Sequence, residues 1–208
     1  FQSPARFTRA SMTIDPKTIA IYDDNTNEYA AMTEGVPHDL VQFHEYLPSG
    51  ARILDYGCGP GTSAAYLAKQ GHIADAFDAS EKMVAYAQKH SGVTAWQATF
   101  DQFNAQDTYD GIWASFSLLH AAREDIPAFL QNIHTAIKNG GVLYIAMKLG
   151  SGRHRDDLQR LYTYVSEVEL RTWLTDAGFD WIDHTTGETP GLDGSMSAWI
   201  GVFARART

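Results

Sequence analysis

The stretch that decides the fold is Ile53-Leu54-Asp55-Tyr56-Gly57-Cys58-Gly59-Pro60-Gly61-Thr62-Ser63: an apolar strand, an acidic residue, three alternating glycines and the start of a helix. Glycine tolerates a tight turn and lets a ligand approach bare backbone, and the N–H groups at a helix start favour anions. A second acidic residue, Asp78, ends the next predicted strand, where a carboxylate can accept both hydroxyls of a ribose. The loop therefore predicts a nucleoside site at the carboxyl edge of a parallel sheet.

Outward from this loop, short apolar runs alternate with helical patterns. The predicted strands are residues 52–55, 73–78, 93–97, 109–116, 142–147, 179–184 and 198–203. Helices are predicted around 64–68, at 80–90, at 126–137 with Asn139-Gly140-Gly141 as its end, and after the capping box Ser166-Glu167-Val168-Glu169. Residues 14–48 predict two helical pieces before the first strand, one of them over residues 22–30. This alternation is typical of a single α/β domain with a doubly wound parallel sheet.

The composition narrows the classes of partner. The 208 residues are 44% hydrophobic and 20% charged, as in a globular protein with a full core. With 16 Lys+Arg against 25 Asp+Glu the net charge is −9, and no basic run occurs, which argues against nucleic acid or an anionic membrane as partner. No apolar stretch reaches the ~20 residues that cross a bilayer.

The single cysteine, Cys58, excludes an intramolecular disulfide and a Cys-based zinc site, and it fits a cytoplasmic protein. The chain is predicted to divide into three parts. Residues 1–3 resemble a tag remnant. Residues 4–48 form an N-terminal helical extension, which is either a lid over the sheet edge or a packing layer. Residues 49–208 form the sheet domain.

Two classes of ligand compete for the glycine loop. Gly59–Ala64 satisfies the relaxed fingerprint of a dinucleotide site, so an NAD(P)-dependent reductase is the alternative function. However, Pro60 lacks one backbone N–H that a pyrophosphate would use, and Asp55 would put negative charge beside the phosphates. An adenosyl ligand with a cationic end tolerates Asp55 better. A third interpretation is a domain that binds the nucleoside without catalysis.

Four motifs in order resemble those of the class I S-adenosylmethionine-dependent methyltransferases of the small bacterial, small-molecule type. Residues 53–61 match the first motif, residues 78–83 the second (D-x-S-x-x-M), residues 109–115 with 118–120 the fourth strand and its turn, and residues 140–145 the fifth strand. The resemblance covers roughly residues 20–205. It implies a Rossmann-like, mostly parallel seven-stranded sheet of order 3-2-1-4-5-7-6, with residues 195–203 as the antiparallel last strand.

The resemblance also implies S-adenosylmethionine as the cofactor and names the residues that would hold it. Asp55, with the backbone of Gly57 and Gly59, would bind its amino acid end, and Asp78 its ribose hydroxyls. Thr99 stands where the family usually has an Asp that contacts the adenine, so its hydroxyl or the N–H of Phe100 would make that contact. The remaining implied contacts are Ala79 and Met83 beside the adenine, Ala114 and Ser115 along the methionine chain, and Tyr22 or Tyr29 closing over it.

Methyl transfer from a sulfonium is an in-line displacement, in which the enzyme aligns the nucleophile and excludes water. A general base is needed only when the nucleophile carries a proton, and His120, just beyond the fourth strand, is the candidate for that role or for orienting the substrate. Residues 148–152 and 160–164 are expected at the substrate mouth. Arg153, His154 and Arg155 would either attract a carboxylate or phosphate or form a solvated loop.

The sequence lacks the residues that three specialised kinds of methyl transfer require. No Asp/Asn-Pro-Pro-Tyr/Phe motif of amino-methylating DNA enzymes follows strand four, no second cysteine is available as a covalent nucleophile, and no carboxylate follows strand four to hold magnesium. We therefore expect metal-independent methylation of a small acceptor on oxygen, nitrogen, sulfur or a heavier chalcogen, by a monomer or homodimer.

Overall fold

The computed structural model describes residues 14–208, so the predicted tag remnant and residues 4–13 lie outside the described residues. Its strands are β1 (Arg52–Tyr56), β2 (Ile73–Asp78), β3 (Val93–Gln97), β4 (Tyr109–Ser115), β5 (Ile137–Lys148), β6 (Arg153–Arg155), β7 (Leu161–Thr163), β8 (Phe179–Pro190) and β9 (Met196–Ala206). Its helices are α1 (Pro16–Asp24), α2 (Thr26–Met32), α3 (His38–Glu45), α4 (Thr62–Lys69), α5 (Glu81–Ala87), α6 (Ile126–Ala136) and α7 (Glu167–Asp176). None of the helices within residues 14–208 has the length and apolar character needed to cross a membrane.

Seven of these strands form one sheet in the order β3-β2-β1-β4-β5-β9-β8. The pairs from β3 across to β5 are parallel, and β9 runs antiparallel to both β5 and β8. If β6 and β7, which form a separate hairpin, are left out of the numbering, this is the order 3-2-1-4-5-7-6 with an antiparallel last strand. The predicted fold is confirmed.

Helices cover both faces of the sheet because its central strands are apolar on both sides. On one face, Leu54, Ile112 and Leu143 pack with α6 and α7 in a single buried cluster. On the other face, Ile53, Trp113 and Tyr144 pack with α3 and α4. Side chains alternate between faces along each strand, so Asp55 shares its face with Ile53. This places Asp55 at the end of β1 on the side covered by the N-terminal half of the chain.

Gly140 and Gly141 do not end a helix, contrary to the sequence prediction. Helix α6 ends at Ala136, and Ile137 is already extended and paired with Tyr109 of β4. The side chain of Ile137 is 2% exposed in the core, so pairing with β4 both buries it and satisfies its backbone. The two glycines lie within β5, where the register with β4 shifts between Tyr109 and Gly111.

The N-terminal region contains three helices rather than the predicted two. The piece expected over residues 22–30 is interrupted at Asn25, whose φ of −115° is not helical and whose side-chain amide donates to the carbonyl of Ile21. The hairpin of β6 and β7 was not predicted. The capping box at α7 is half formed: Ser166 accepts from the N–H of Glu169, whereas the Glu169 carboxylate pairs with Arg123.

Candidate functional site

A cavity of about 570 Å³ lies at the carboxyl ends of β1, β2 and β4, and α1 and α2 cover it. Its volume is within the range of about 300–1,000 Å³ that is usual for small-molecule sites. Of the thirteen residues predicted to contact the cofactor or to act as the base, eleven line it, namely Tyr22, Tyr29, Asp55, Gly57, Gly59, Asp78, Ala79, Met83, Phe100, Ser115 and His120. Thr99 and Ala114 do not line it, and neither do residues 148–152 and 160–164, which the sequence predicts at the substrate mouth. The structure thus brings most of the predicted set together in one cavity.

Two glycines of the loop leave no room for a side chain. Gly57 has φ +75°, and a Cβ there would lie 2.4 Å from Cβ of Ser117. Gly61 has φ +78°, and a Cβ there would lie 2.6 Å from Cβ of Ala87 in α5. Positive φ and these close approaches both require glycine. The loop therefore lies tightly between β4 and α5 and presents bare backbone to the cavity.

The N–H groups of the loop are already bonded within the protein. Those of Gly57 and Cys58 donate to the carbonyl of Phe77, that of Gly59 to Asp78, and that of Gly61 to the carbonyl of Cys58. Pro60 has none. At the start of α4, the N–H of Ala64 donates to Asp55 over 3.2 Å. A pyrophosphate would meet a carboxylate and few free donors here, so the geometry gives the dinucleotide alternative no support.

Asp55 is a buried carboxylate whose single hydrogen-bond donor among residues 14–208 is the N–H of Ala64. Burial, together with the negative charge of Asp78, raises its pKa from 3.8 to about 7, although the hydrogen bond from Ala64 acts in the opposite direction. A carboxylate that has lost most of its hydration and has no paired cation attracts a positively charged ligand group. Asp55 is therefore suited to bind an ammonium group.

Asp78 is held in one orientation by the backbone. Its Oδ2 accepts from the N–H of Gly59 at 2.8 Å, and its Oδ1 accepts from the N–H of Ser80 at 2.9 Å. Burial raises its pKa, although the two backbone hydrogen bonds act in the opposite direction. Each carboxylate oxygen keeps a further lone pair, so Asp78 can still accept from two vicinal hydroxyls.

Beyond Asp78, the cavity is bounded by Met83 and Phe100, and the ring of Phe100 stacks on Tyr56 at 4.9 Å. Thr99 starts a short 3-10 turn. Its hydroxyl donates to Asp101 at 2.6 Å, and its N–H donates to the side chain of Gln102, so these groups are engaged outside the cavity. Its contact with an adenine stays a prediction.

Ala114 belongs to the core on the α6 side of the sheet, because its side chain points away from the face that carries Asp55. Only the neighbouring residue, Ser115, lines the cavity.

His120 is part of a buried hydrogen-bond chain that the sequence did not predict. Its Nδ1 lies 2.9 Å from the carbonyl of Leu161, which only accepts, so Nδ1 carries the proton and Nε2 accepts from the hydroxyl of Tyr22 at 2.9 Å. Arg160 donates to the Tyr22 oxygen at 3.2 Å and forms a buried ion pair with Asp156. Burial lowers the pKa of His120 to about 3. The imidazole is therefore neutral, and its free nitrogen already holds Tyr22.

Side-chain contacts hold helix α1 at both of its ends. At its start, Asp15 forms a two-pronged ion pair with Arg155 of the hairpin at 2.9 Å. At its end, Asp23 accepts from the hydroxyl of Ser80 and the N–H of Lys82 at the start of α5. The helix therefore extends from the β6–β7 hairpin to the residues next to Asp78.

The predicted basic cluster does not line the cavity. Arg155 is paired with Asp15, and the ring of His154 stacks on Tyr164 at 4.2 Å. Arg153 is exposed on the outer hairpin strand.

The cavity continues past β4 into a region that we call the aromatic chamber, formed by Asp39, Trp113, Phe116, Tyr144 and Trp199. Asp55, Trp113 and Tyr144 are in register on β1, β4 and β5 and face the same side of the sheet. Phe116 has φ +52°, which is rare for a bulky residue and typical of functional sites. Sequence reasoning missed these residues, although Trp113 and Tyr144 occupy the same strand position as Asp55.

Comparisons with known proteins agree with this geometry. A family model described as a methyltransferase domain matches residues 28–184. TehB of Haemophilus influenzae, a probable S-adenosyl-L-methionine-dependent methyltransferase, is 25% identical over 161 residues, which are 75% of this chain and 56% of TehB. The ubiquinone biosynthesis O-methyltransferase of Xanthomonas axonopodis pv. citri is 26% identical over 158 residues, 63% of each chain. The chain thus spans between 50% and 63% of the length of these curated relatives.

Solved structures share the fold. That of Burkholderia thailandensis 1,6-didemethyltoxoflavin-N1-methyltransferase, which contains 1,6-didemethyltoxoflavin and S-adenosylhomocysteine, has a TM-score of 0.74 at 23% identity and covers 91% of this chain and 85% of its own. TehB of Haemophilus influenzae has a TM-score of 0.70 at 18% identity, covering 90% and 67%. The family model spans well over half of the chain, and the sheet order and glycine loop agree with it. The chain therefore belongs to the methyltransferase domain family, among the class I S-adenosylmethionine-dependent methyltransferases.

Proposed function

We propose that this chain catalyses transfer of the methyl group of S-adenosylmethionine to a small-molecule acceptor by in-line displacement, without a metal ion. When bound, the cofactor supplies an electrophilic methyl group on a sulfonium. The observation that carries the proposal is Asp55, a buried carboxylate with one donor and a pKa of about 7, next to a loop of bare glycine backbone. Such a group fits the ammonium of an amino acid and does not fit a phosphate.

The chain's own residues have three tasks in this reaction. Asp55 binds the cationic end of the cofactor, and Asp78, held by two backbone N–H groups, accepts its ribose hydroxyls. Tyr29 covers the loop from above, because its Cε1 lies 3.3 Å from where a Cβ on Gly59 would stand. Together with Tyr22, it excludes water from the reacting groups, which strengthens the electrostatic interactions within.

Proton removal from the acceptor is not assigned to a residue. His120 was the sequence candidate, but its Nε2 accepts from Tyr22, and its pKa of about 3 makes it a weak base. We infer that His120 positions Tyr22. Within residues 14–208, no group of three or more His, Cys, Asp and Glu side chains is arranged to hold a metal ion.

The names of the relatives support a small organic acceptor. They include an O-methyltransferase of ubiquinone biosynthesis and an N1-methyltransferase of 1,6-didemethyltoxoflavin. Oxygen, nitrogen, sulfur and a heavier chalcogen therefore all remain acceptor atoms to be tested. We further infer a cytoplasmic monomer or homodimer with no nucleic-acid or membrane partner, on the basis of the net charge of −9 and the single cysteine.

A thermal-shift titration with S-adenosylmethionine, S-adenosylhomocysteine and NADH tests the cofactor. A ligand at 100 times its Kd adds about 2.7 kcal/mol to the free energy of unfolding, which raises the Tm of a domain of this size by roughly 5–11 °C. We expect both adenosyl ligands to stabilise the wild type and to lose this effect in Asp78→Ala. Asp180→Ala, an exposed aspartate of β8 outside the cavity, is the matched control and should keep it.

Stabilisation by NADH alone would refute the proposal and restore the reductase alternative. If the adenosyl ligands bind, formation of S-adenosylhomocysteine is then measured with phenol, amine, thiol and tellurite acceptors. Binding without turnover on any acceptor would favour a domain that binds the nucleoside without catalysis.

A further inference from the structure

The cavity is lined by carboxylates, and the residues that the structure describes contribute no Lys or Arg to its wall. The three carboxylates are Asp39, Asp55 and Asp78. Under the proposed function, the cofactor uses Asp55 and Asp78, which lie at the ends of β1 and β2. Asp39, at the start of α3 and against β5 and β8, is left for the acceptor.

Two hydrogen bonds hold the side chain of Asp39 in the aromatic chamber. Its side chain is buried, and its Oδ2 accepts from the hydroxyls of Tyr144 at 2.5 Å and Thr185 at 2.6 Å. Gly201 of β9 makes room for this cluster, because a Cβ there would lie 2.3 Å from the Tyr144 hydroxyl. The other oxygen, Oδ1, has no donor among residues 14–208. The chamber therefore offers a carboxylate oxygen to a hydrogen-bond donor on the ligand.

The walls of the chamber are aromatic. Trp113 and Tyr144 stack at 3.9 Å with 11° between their planes, and Trp199 meets Phe116 edge-to-face at 5.8 Å. Flat rings gain both apolar burial and favourable ring–ring geometry against such surfaces. The exposed side chains of Met32 and Val36 continue the apolar lining to the cavity mouth.

Two polar atoms of the cavity wall are buried without a partner among the described residues: Oγ of Ser117 and Nε1 of Trp199. Ser117 is 6% exposed and lies against Gly57. A buried polar group without a hydrogen bond lowers the stability of the folded protein, so a ligand that forms a hydrogen bond to it gains binding free energy. The indole N–H can only donate, so it requires an acceptor atom on the ligand.

The Arg and Lys side chains around the cavity already have partners within the protein. Arg160 is paired with Asp156, and Arg155 with Asp15. Lys148 pairs in register with Trp199, but its ammonium lies over the ring of Tyr162 at 4.0 Å, and it does not line the cavity. With Asp55 and Asp78 used by the cofactor, an anionic acceptor would meet the carboxylate of Asp39, and His38 and His120 are the basic side chains that the described residues contribute to the wall. Without a facing Lys or Arg, it would lose its hydration without compensation.

We propose, on the basis of the proposed function, that the methyl acceptor is a flat aromatic molecule without negative charge, which donates a hydrogen bond to Asp39 and accepts one from Trp199. Phenols and N-heteroaromatic compounds have this chemistry. Oxyanions such as tellurite and aromatic carboxylates do not.

The experiment measures binding to the protein loaded with S-adenosylhomocysteine. The probes are hydroxylated benzoate, indole and quinoline carboxylates and the methyl esters of the same acids, compared by saturation-transfer NMR and then by calorimetry. We expect the neutral esters to bind at least about tenfold more tightly than their acids, because one ester differs from its acid by one negative charge close to Asp39. Tellurite should not compete with the esters.

Four variants test whether the preference for neutral esters arises in the chamber. Asp39→Asn removes the carboxylate and should narrow the ester-to-acid ratio. Val36→Lys adds a cation at the exposed cavity mouth, and it should lower the ester-to-acid affinity ratio without a change in the core. Trp199→Phe keeps the ring, removes the N–H donor and should weaken ester binding about tenfold. Trp181→Phe, on β8 outside the cavity, is the matched control and should leave binding unchanged.

Acids that bind as tightly as their esters, or the binding of neither series, would overturn the proposal. An ester preference that persists unchanged in both Asp39→Asn and Val36→Lys would also overturn it. Binding of S-adenosylhomocysteine is measured first on the same samples. If S-adenosylhomocysteine does not bind, the proposed function is refuted. If it binds but the acids bind more tightly than the esters, only the proposed class of acceptor is refuted.

Discussion

Asp55→Asn should make the ligand-free protein more stable while it abolishes cofactor binding. Burial raises the pKa of Asp55 from 3.8 to about 7 in the folded chain. A folded-state pKa above the unfolded value means that the folded protein prefers the protonated form, so this contribution to stability is present at low pH and is lost as the pH rises to 7. Above pH 7, the ionised carboxylate costs about 1.36 × 3 units, or about 4 kcal/mol.

The asparagine removes this charge. It keeps an oxygen for the N–H of Ala64 but brings an amide NH2 without a partner, at a cost of about 1–3 kcal/mol. The net gain at pH 8 is about 2 kcal/mol, which raises the Tm by roughly 4–8 °C in a chain of this size. At pH 5, Asp55 is protonated in the folded wild type but ionised in the unfolded chain, so its cost falls to about 1.6 kcal/mol. The cost of the unpaired amide cancels this, and the gain should vanish. Binding of S-adenosylhomocysteine should be lost at both pH values.

Thermal and urea unfolding of the ligand-free proteins at pH 5 and pH 8 measures the effect. Asp75→Asn is the matched control, because Asp75 is also a buried aspartate but forms an ion pair with Arg52 at 2.7 Å. Its loss should destabilise the protein at both pH values. An Asp55→Asn variant that is no more stable than the wild type at pH 8, or equally stabilised at pH 5, would refute the reasoning.

Three further predictions concern the loop, the buried hydrogen-bond chain and the first helix. Gly57→Ala should cost about 1–3 kcal/mol more in urea unfolding than Gly140→Ala, because both glycines have φ +75° but only the first would place a Cβ against another side chain; equal losses would contradict this. Tyr22→Phe leaves two buried groups without a partner and should lower the free energy of unfolding by about 1–3 kcal/mol, whereas Tyr66→Phe, which removes no hydrogen bond seen in the described residues, should not. Arg155→Ala should speed hydrogen exchange in residues 16–24 at an unchanged global unfolding midpoint, and unchanged exchange there would show that the ion pair does not hold α1.

The convergence of the proposed cofactor residues on one cavity could be predicted from the sequence because its signals are local. Strands β2 and β3 have the predicted bounds, and the loop from Asp55 to Gly61 carries its strand, turn and helix within one segment. The register of parallel strands then brings Asp78 beside it. These features follow from short-range pattern and from the rule that ligands bind at the carboxyl ends of parallel strands.

The chamber proposed to bind the acceptor could not be predicted because tertiary contacts create it. Asp39 becomes a chamber residue only when α3 packs over Tyr144, 105 positions away in the chain. Tyr22 and His120, 98 positions apart, meet in the same way. In the sequence, the apolar pattern around Tyr144 indicates only a buried strand, and an aromatic residue in such a strand is normally part of the core.

Helix α1 touches the hairpin at one end of the cavity and α5 at the other, so a single element covers both ligands. Under the proposed function, the methylated product can leave through the mouth at Met32 and Val36, and we expect S-adenosylhomocysteine to leave past α1 once the contacts of Asp15 and Asp23 open. We therefore expect product departure, rather than the displacement step, to limit the steady-state rate, as in many enzymes whose sites close over their substrates. The kinetic signature would be a pre-steady-state burst of one methyl transfer per molecule and a kcat that falls as solvent viscosity rises.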